Sequence, residues 1–437
     1  MSSTPTVPSL PCHQDPAEFT PRRRGGVIEF PVHHMRGGTS TGLVLWEPIA
    51  PRDPDLRAEL LRHLMGVPLT GRAVGNRQIT GLGRGPATSN KVFFADVEAT
   101  PSGSRLVSTL AQLASDHGQI DWSVNCGNMS SALQLWALDM GLTGDAAAGP
   151  FEIDIRNTNT GVVTTSRMTR LRDGSFVDAE IPGVDGAFPA VDLFLHNPVG
   201  AKTGSLLPTG AALDLVCGHH VSCVDVAVPM VIADASEFGK TGYETPRELE
   251  ADGAFMAALR EVWVEAGLRM KLKRRDGSAM SREELERSET VPKVCIVSQP
   301  RAGGNVSVRY FTPQTAHASM AVTGGCCLAA AALIPGSVAN RVARGLSPPG
   351  GEFSEIEVGI ENPAGILSAT VDARFDGDQL LVRSAAYRRS AQVLLRGHVA
   401  LYRASPALQE ALASGSLPGP AANRPQITIS ENRSLRA

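Results

Sequence analysis

Two residues in the chain have both the chemistry and the surroundings to move a proton, Lys91 and Cys126. Lys91 closes a glycine-rich loop that begins at Gly81, and an apolar run, 92–95, follows it. A lysine flanked by apolar residues is partly withdrawn from water, which frees its amine to act as a base. The commoner alternative is a lysine that extends from a strand edge into solvent.

Cys126 stands in an Asn-Cys-Gly-Asn turn ahead of a predicted apolar helix. The free N–H groups and partial positive charge of a helix N-terminus stabilise a thiolate and can bind a carboxylate. A buried structural thiol is the alternative, but the flanking Gly127 and Asn128 favour a turn. We therefore interpret Cys126 as a proton donor or acceptor.

Two further segments could hold an anionic substrate. In Met35–Gly42, two glycines let backbone N–H groups approach a ligand and the hydroxyls add donors, although an ordinary hairpin turn has the same pattern. In 316–325, a Thr-Gly-Gly turn opens a second apolar helix and offers a second anion-binding helix end. His317 there could bind a carboxylate, and a structural histidine is an equal alternative. Cys326 and Cys327 fall inside the helix and are interpreted as core residues.

The remaining motifs do not indicate a metal or a cofactor. The loop that ends at Lys91 lacks the glycine and hydroxyl residues of a phosphate-binding loop, and a strand rather than a helix follows it. Residues 217–223 contain metal-ligating types, but their spacing matches no standard zinc site. A serine hydrolase lacks support, because no Gly-x-Ser-x-Gly segment stands between a predicted strand and a predicted helix. We expect no cofactor and no metal.

Composition excludes several classes of partner. The net charge of -3 provides no field that would recruit nucleic acid or an anionic membrane, and aromatic residues are only 5% of the chain. The seven cysteines are an odd number with no repeating spacing, which favours a reducing compartment. The N-terminus has no apolar run of signal-peptide type, and no segment is apolar for the length of a membrane span. We expect a soluble cytoplasmic protein.

The elements that must position these residues indicate an α+β protein of two similar halves. Each half has several short strands and one apolar helix that begins after a glycine-rich turn. Four helices are predicted: Leu56–Met65, Ser130–Leu142, Arg247–Ala266 and Cys326–Leu333. The strand pattern includes one long run at Val224–Ile232. We predict a disordered tail over 1–25, domains at 26–200 and 201–405, and a second tail over 406–437 with a short helical piece near Leu408–Leu412.

The motifs together resemble those of the 2-methylaconitate cis–trans isomerase family. That family includes 4-oxalomesaconate tautomerases, methylitaconate isomerases and aconitate isomerases. The resemblance spans roughly residues 27–402 and depends on the joint order of the segments. They are Met35–Ser40, the loop ending in Ser89–Val92, Asn125–Asn128, Val221–Ala227, Gly239–Glu244, His317–Gly324 and Arg389–Ala391.

The resemblance implies a diaminopimelate-epimerase-like fold, with two pseudo-symmetric domains, each a sheet around a central helix, and an active site between them. It assigns the catalytic lysine and cysteine to Lys91 and Cys126. Thr41 replaces the family's usual lysine and Asn90 its usual serine, so the substrate's identity stays open. The substrate-binding residues it implies are Arg36, Gly38, Thr39, Ser40, Ser89, Gly127, Asn128, His317, Met320, Thr323 and Gly324.

We therefore expect a cofactor-independent isomerase that shifts a proton in a small unsaturated di- or tricarboxylic acid such as 2-methylaconitate, aconitate or 4-oxalomesaconate. Two alternatives stay open. One is an amino-acid racemase or epimerase of the same fold, whose chemistry requires two opposed cysteines. The other is a non-catalytic dicarboxylate-binding accessory protein. We expect no nucleic-acid or membrane partner, and a homodimer is one option for the assembly.

Overall fold

A computed structural model describes residues 19–85, 90–123, 125–144, 146–274, 276–414 and 426–430. The chain divides into two compact units. Unit 1 contains the described residues of Met1–Glu180, Gly186–Leu193 and Arg389–Ala437, and unit 2 contains those of Ile181–Asp185 and Phe194–Arg388. The predicted domains were continuous segments of chain, whereas unit 1 takes two further segments from beyond residue 180.

Unit 1 is an α+β unit built around one apolar helix. Its helices are α1 (Pro54–Met65), α2 (Gly127–Ser130), α3 (Leu133–Asp139) and α9 (Pro406–Ser414). Its strands are β1 (Arg22–Arg24), β2 (Val27–Gly37), β3 (Ser40–Trp46), β4 (Lys91–Thr100), β5 (Gly103–Leu113), β6 (Ile120–Asp121), β7 (Gly149–Asn157), β8 (Val163–Arg170) and β9 (Asp178–Ala179). Two strands, β10 (Phe188–His196) and β19 (Gln379–Ala400), have residues in both units.

The sheet of unit 1 follows one order of pairings. Strands β2 and β3 form an antiparallel hairpin, β3 pairs in parallel with β4, β4 is antiparallel to β5, β5 is parallel to β7, and β7 is antiparallel to β8. All of α3 is buried, and Trp136 at its centre is fully enclosed. An apolar helix of this kind requires cover on every side, which the sheet provides.

Unit 2 has its own strands and helices. The helices are α4 (Pro246–Ala251), α5 (Gly253–Arg269), α6 (Arg282–Arg287), α7 (Val322–Leu333) and α8 (Val338–Val342). The strands are β11 (Asp214–Val216), β12 (His219–Val226), β13 (Val228–Asp234), β14 (Lys293–Ser298), β15 (Val306–Thr312), β16 (Thr315–Ala316), β17 (Ser354–Asn362) and β18 (Gly365–Asp376).

Unit 2 repeats the pairing order of unit 1. The hairpin β12–β13 is followed by a parallel pair β13–β14, an antiparallel pair β14–β15, a parallel pair β15–β17 and an antiparallel pair β17–β18. Helix α7 takes the place of α3, and every residue from Gly324 to Leu333 is buried. This repetition is the predicted pseudo-symmetry of a sheet around a central helix in each half.

Some predicted elements are divided by local chemistry. The predicted strand Val224–Ile232 is a tight hairpin, because Ala227 adopts φ 63° between β12 and β13. The predicted helix Arg247–Ala266 is two helices, since Asp252 ends α4 and its carboxylate caps α5 by accepting from the N–H of Phe255. The predicted helix Ser130–Leu142 is likewise divided into α2 and α3, and it begins earlier than expected.

The described parts of both predicted tails contribute structure to unit 1. Arg22–Arg24 pair with β2, although the sequence predicted disorder as far as residue 25, because backbone pairing does not depend on apolar side chains. Helix α9 matches the predicted helical piece and buries Leu408 and Leu412 in the core of unit 1. None of the helices in the described ranges reaches the length and apolar character that crossing a bilayer requires.

Candidate active site

Lys91 is the first residue of β4, and only 6% of its surface is exposed. Its Nζ donates to Oγ of Ser40, the first residue of β3, at a distance of 3.4 Å. Gly42 of β3 lies beside Lys91 in the parallel register. A Cβ at position 42 would collide with the carbonyl oxygen of Lys91, so the last glycine of the first motif is required by the close approach of the two strands.

Cys126 caps the N-terminus of α2. Its Sγ lies 3.5 Å from the backbone nitrogen of Met129, which donates to it, and its own N–H donates to Oδ1 of Asn125. The side chain is partly exposed. The thiol therefore lies at the start of the helix, where backbone N–H groups have no carbonyl partner within the helix.

The turn between β2 and β3 contacts the surroundings of both residues. A Cβ at Gly37 would lie 2.5 Å from the carbonyl oxygen of Asn128, and a Cβ at Gly38 would lie 2.5 Å from its Oδ1. Nδ2 of the same asparagine lies 3.3 Å from Oγ1 of Thr39. The two glycines therefore let the start of α2 pack directly on the turn that also carries Ser40. The lysine, the cysteine turn and the first motif are brought together in unit 1.

Arg36 is a buried cation next to this turn. It is 8% exposed, and Nη1 donates to the carbonyl oxygens of Gly38 and Ser390 at 2.9 and 3.1 Å. Its guanidinium stacks over the ring of Phe188 at 4.6 Å, and burial lowers its pKa. Nη2 is buried without a hydrogen-bond partner among the described residues. An uncompensated buried charge is costly and favours the arrival of an anion.

Two residues that the site prediction missed hold this arrangement. Arg389 donates from Nε to Oδ1 of Asn128 at 2.8 Å, and the carbonyl oxygen of Ser390 accepts from the N–H of Gly38 at 2.9 Å. Both belong to the Arg-Ser-Ala segment that contributed to the family resemblance. That segment was the available signal, but nothing in the local sequence showed which residues it would contact.

A buried amide pair is a second feature that the sequence analysis missed. The side chains of Gln78 and Asn90 bond to each other, at 3.1 and 3.0 Å, and to the backbone of the loop that leads to Lys91. Of that loop, the predicted substrate contact Ser89 lies outside the described residues. Gly127, also a predicted contact, is the first residue of α2.

The other predicted contacts lie in unit 2. His317 accepts at Nδ1 from the N–H of Ser319 at 2.9 Å, which fits a structural role in the turn before α7. Met320 is buried, Thr323 lies in the first turn of α7, and Gly324 is packed under the ring of Tyr310. The Thr-Gly-Gly turn is thus part of the helix, which begins at Val322 rather than at the predicted Cys326.

The repeat allows the two helix starts to be compared. Cys126 follows the end of β6 at Asp121, and Ala321 follows the end of β16 at Ala316 by the same interval. Both are N-cap residues, but Ala321 makes no side-chain cap. Lys293 is the first residue of β14 and thus the counterpart of Lys91. Unit 2 therefore keeps a lysine and replaces the thiol with a methyl group.

The 217–223 segment has its own structural partners. Nδ1 of His220 lies 2.9 Å from Oε1 of Glu237, Nδ1 of His219 lies 3.1 Å from the carbonyl oxygen of the same residue, and burial raises the pKa of Cys223 to about 12. Within the described ranges, no group of three or more histidine, cysteine, aspartate and glutamate side chains is arranged to hold a metal ion.

The sequence and the fold of the chain are similar to those of known proteins. A sequence model of the family described as PrpF protein matches residues 27–402. The 4-oxalomesaconate tautomerase of Pseudomonas putida is 33% identical over 382 residues, which cover 86% of this chain and 98% of the relative. The (4E)-oxalomesaconate Delta-isomerase of a Novosphingobium species is 32% identical over 382 residues, which cover 87% and 99%. The crystal structure of a methylitaconate-delta-isomerase matches with a TM-score of 0.72 at 26% identity, over 91% of this chain and 99% of that one.

These findings define the chain as an isomerase with a diaminopimelate-epimerase-like fold, and they confirm both predictions. The family match covers most of the chain, and the two relatives named above exceed 30% identity over nearly their whole length. The chain belongs to the PrpF protein family, as the resemblance in the motifs predicted.

Proposed function

We propose that the protein moves a proton along a small unsaturated di- or tricarboxylic acid, with Lys91 and Cys126 as the acid–base pair and without a cofactor. The observation that carries the proposal is the turn between β2 and β3. It contacts Lys91 through Ser40 at 3.4 Å and the start of α2 through Thr39 at 3.3 Å. A thiol and an amine beside one turn suit the transfer of a proton off one carbon and onto another.

The electrostatics of unit 1 support an anionic substrate. Arg36 has a buried guanidinium whose described hydrogen-bond acceptors are neutral oxygens, and its Nη2 has a free donor. A carboxylate would satisfy that donor and neutralise the charge. The N–H groups at the start of α2 add partial positive charge near Cys126. Both features would stabilise the negative charge that develops when a C–H bond next to an unsaturated carboxylate breaks.

The proposed reaction is an allylic proton transfer. The neutral amine of Lys91 takes a proton from the carbon next to the unsaturated carboxylate, so the C–H bond breaks and a dienolate forms. Cys126 then gives its S–H proton to the other end of the allyl unit, and the double bond settles in its new place. Exchange with water returns the resulting ammonium and thiolate to their starting forms. Exchanging the roles of the two residues leaves the proton balance of the reaction unchanged.

The substrate contacts are part of the same proposal. On unit 1 we assign Arg36, Gly38, Thr39, Ser40 and Asn128, with Ser89 and Gly127 from the flanking loop and helix start. On unit 2 we assign His317, Met320, Thr323 and Gly324. The relatives are named for oxalomesaconate and methylitaconate, and these acids together with 2-methylaconitate and aconitate form the substrate class that we propose.

A specific observation disfavours the racemase alternative. Racemisation by two opposed thiols would require a cysteine at the start of the second central helix, and that N-cap is Ala321. The remaining described cysteines are in other settings: Cys326 and Cys327 lie inside α7, Cys223 and Cys295 are buried in strands, and Cys217 lies on the surface.

Deuterium incorporation tests the proposal. The protein is incubated in deuterium oxide with a panel of aconitate, 2-methylaconitate, 4-oxalomesaconate and methylitaconate, and proton NMR follows each acid. We expect isomerised product with deuterium at the reprotonated carbon, because an ammonium or a thiol exchanges with solvent before returning a proton. Binding without isomerisation or labelling across the whole panel would instead favour the accessory-protein alternative.

A further inference from the structure

Gln78 adopts a backbone conformation that glutamine rarely takes. Its φ is 56°, in the left-handed region, and the residue is 1% exposed. A residue other than glycine in this backbone conformation costs free energy, so contacts with the surrounding structure must offset that cost. The compensation comes from its amide, which bonds to several groups in unit 1.

The amide of Gln78 is fully used. Nε2 donates to the carbonyl oxygen of Met65 at 2.8 Å and to Oδ1 of Asn90 at 3.1 Å. Oε1 accepts from Nδ2 of Asn90 at 3.0 Å and from the N–H of Gly85 at 2.7 Å. A paired amide with every bond made inside a core is rigid, and each bond it loses would leave a buried group unsatisfied.

Asn90 transmits this rigidity to the end of the loop. Its Oδ1 also accepts from the N–H of Arg84 at 3.1 Å, and its backbone oxygen accepts from the N–H of Leu113 in β5 at 3.0 Å. The residue is completely buried and directly precedes Lys91. The lysine therefore starts its strand from a point held on both sides, by the amide pair and by β5.

The glycines of the loop have a reason other than flexibility. A Cβ at Gly83 would collide with Nε2 of Gln78 and would lie 2.7 Å from Oδ1 of Asn90. Gly85, whose N–H bonds to Gln78, adopts φ 91°. The described part of the loop thus wraps closely around the amide pair. This part of the motif is built for packing on Gln78 and Asn90.

We infer that Gln78 is a positioning residue for Lys91, acting through Asn90 and the loop backbone that the two amides hold. The inference rests on the proposed function, because it presupposes that Lys91 transfers the proton. It predicts that loosening the amide pair moves the amine without removing it. A displacement of about 1 Å at a catalytic group can cost roughly 10²-fold in turnover.

The experiment compares two losses of a buried amide. Gln78→Leu removes the pair, whereas Gln134→Leu removes an equally buried amide that bonds to Phe151 and Ser166 in the core of unit 1. Each variant and the wild type are assayed for kcat and KM on the acid that the wild type isomerises. We expect kcat to fall by roughly 10²-fold in Gln78→Leu with KM little changed. Gln134→Leu should keep kcat.

A second readout needs no substrate. Acetic anhydride labels amines, and peptide mass spectrometry reports the extent at each lysine. We expect labelling of Lys91 to rise several-fold in Gln78→Leu but not in Gln134→Leu, while Lys293, at the start of β14 in unit 2, serves as an internal reference. If Gln78→Leu does not fold, Gln78→Glu replaces it, because glutamate keeps the accepting oxygen but loses the two donated bonds. We expect a smaller fall in kcat and a smaller rise in the labelling of Lys91.

The outcomes separate the two hypotheses. Equal labelling of Lys91 in Gln78→Leu and Gln134→Leu would overturn the inference whatever the activity. Raised labelling with kcat equal to that of Gln134→Leu would overturn it as well. A wild-type protein that isomerises no acid in the panel would refute the proposed function, and the substrate-free labelling would still decide whether Gln78 holds the lysine in place.

Discussion

Arg389 donates from Nε to Oδ1 of Asn128 at 2.8 Å, although the two residues are 261 positions apart in the chain. The bond ties the middle of β19 to the helix start that carries Cys126. Because Gly38 lies against the same Oδ1, three distant segments meet at one side-chain oxygen. Unit 1 thus builds the candidate site from early and late segments of the chain. Small changes at this junction should displace Cys126.

Gly38→Ala tests this junction. Gly38 has φ 53°, and a Cβ would lie 2.5 Å from Oδ1 of Asn128, so alanine adds a collision to the cost of a left-handed backbone. Gly71 has φ 68° with nothing within 4 Å of the added Cβ, so Gly71→Ala measures the backbone cost alone, about 1–2 kcal/mol. We expect Gly38→Ala to lose more unfolding free energy than Gly71→Ala, and to lose activity as well. Chemical denaturation measures the loss of unfolding free energy, and turnover measures the loss of activity. Equal losses of unfolding free energy in the two variants would mean that the residues around Gly38 move aside for the added methyl group.

Lys91→Ala and Cys126→Ala should each lower kcat by at least roughly 10²-fold, the usual value of one positioned proton-transfer group. Folding should be little affected, which thermal unfolding checks. The repeat supplies the control for the lysine, since Lys293→Ala removes the counterpart of Lys91. The control for the cysteine is Cys217→Ala, which removes an exposed thiol. Both controls should keep full turnover. A catalytic variant that keeps near-wild-type turnover would show that its residue has been given the wrong role.

The main features of the fold could be predicted from the sequence. The central helices α3 and α7 are mostly apolar, and most strands are bounded by turn residues, so the α+β class and the repeat follow from pattern alone. The hairpin at Ala227 could not be predicted in this way. Ala227 is neither glycine nor asparagine, so the valine-rich run Val224–Ile232 resembles one strand despite Asp225 and Pro229.

The candidate site could be predicted only where its residues are close in sequence. Cys126 stands next to Gly127, and Lys91 ends a glycine-rich loop, so local pattern was enough to select them as candidates. Gln78 and Asn90 lie on either side of the loop and contact each other only after it folds back, so their pairing has no local signature. Arg389 contacts Asn128 through the long-range register of β19 with β2, which no periodicity reports.

Activity should survive exhaustive treatment with a chelator followed by dialysis. In the proposed reaction the developing charge is stabilised by Arg36 and by the N–H groups at the start of α2, so no step requires a Lewis acid. Turnover before and after treatment, with total metal content measured on the same samples, provides the test. Activity that is lost on chelation and returns only when a divalent ion is added would contradict the mechanism and redirect attention to the 217–223 segment.

Stability should fall below neutral pH, in part because of His34. Burial in β2, together with the positive charge of Arg84, lowers the pKa of its imidazole from 6.5 to about 4. Between these two values the unfolded chain binds more protons than the folded chain. The contribution of His34 is therefore fully present above pH 6.5 and is lost as the pH falls through 4. The total is on the order of 3 kcal/mol.

Substitution isolates that contribution. His34→Leu removes the titrating group while keeping the position apolar, so its unfolding free energy should decline less steeply from pH 6.5 to 4 than that of the wild type. Val74→Ala changes a side chain that is 90% exposed and alters no titrating group, so it should keep the wild-type slope. Urea denaturation of the three proteins at several pH values gives the slopes. Parallel curves for His34→Leu and the wild type would mean that this imidazole titrates alike in the folded and unfolded chains, and that the acid lability arises elsewhere, with buried His33 the next group to test because burial lowers its pKa as well.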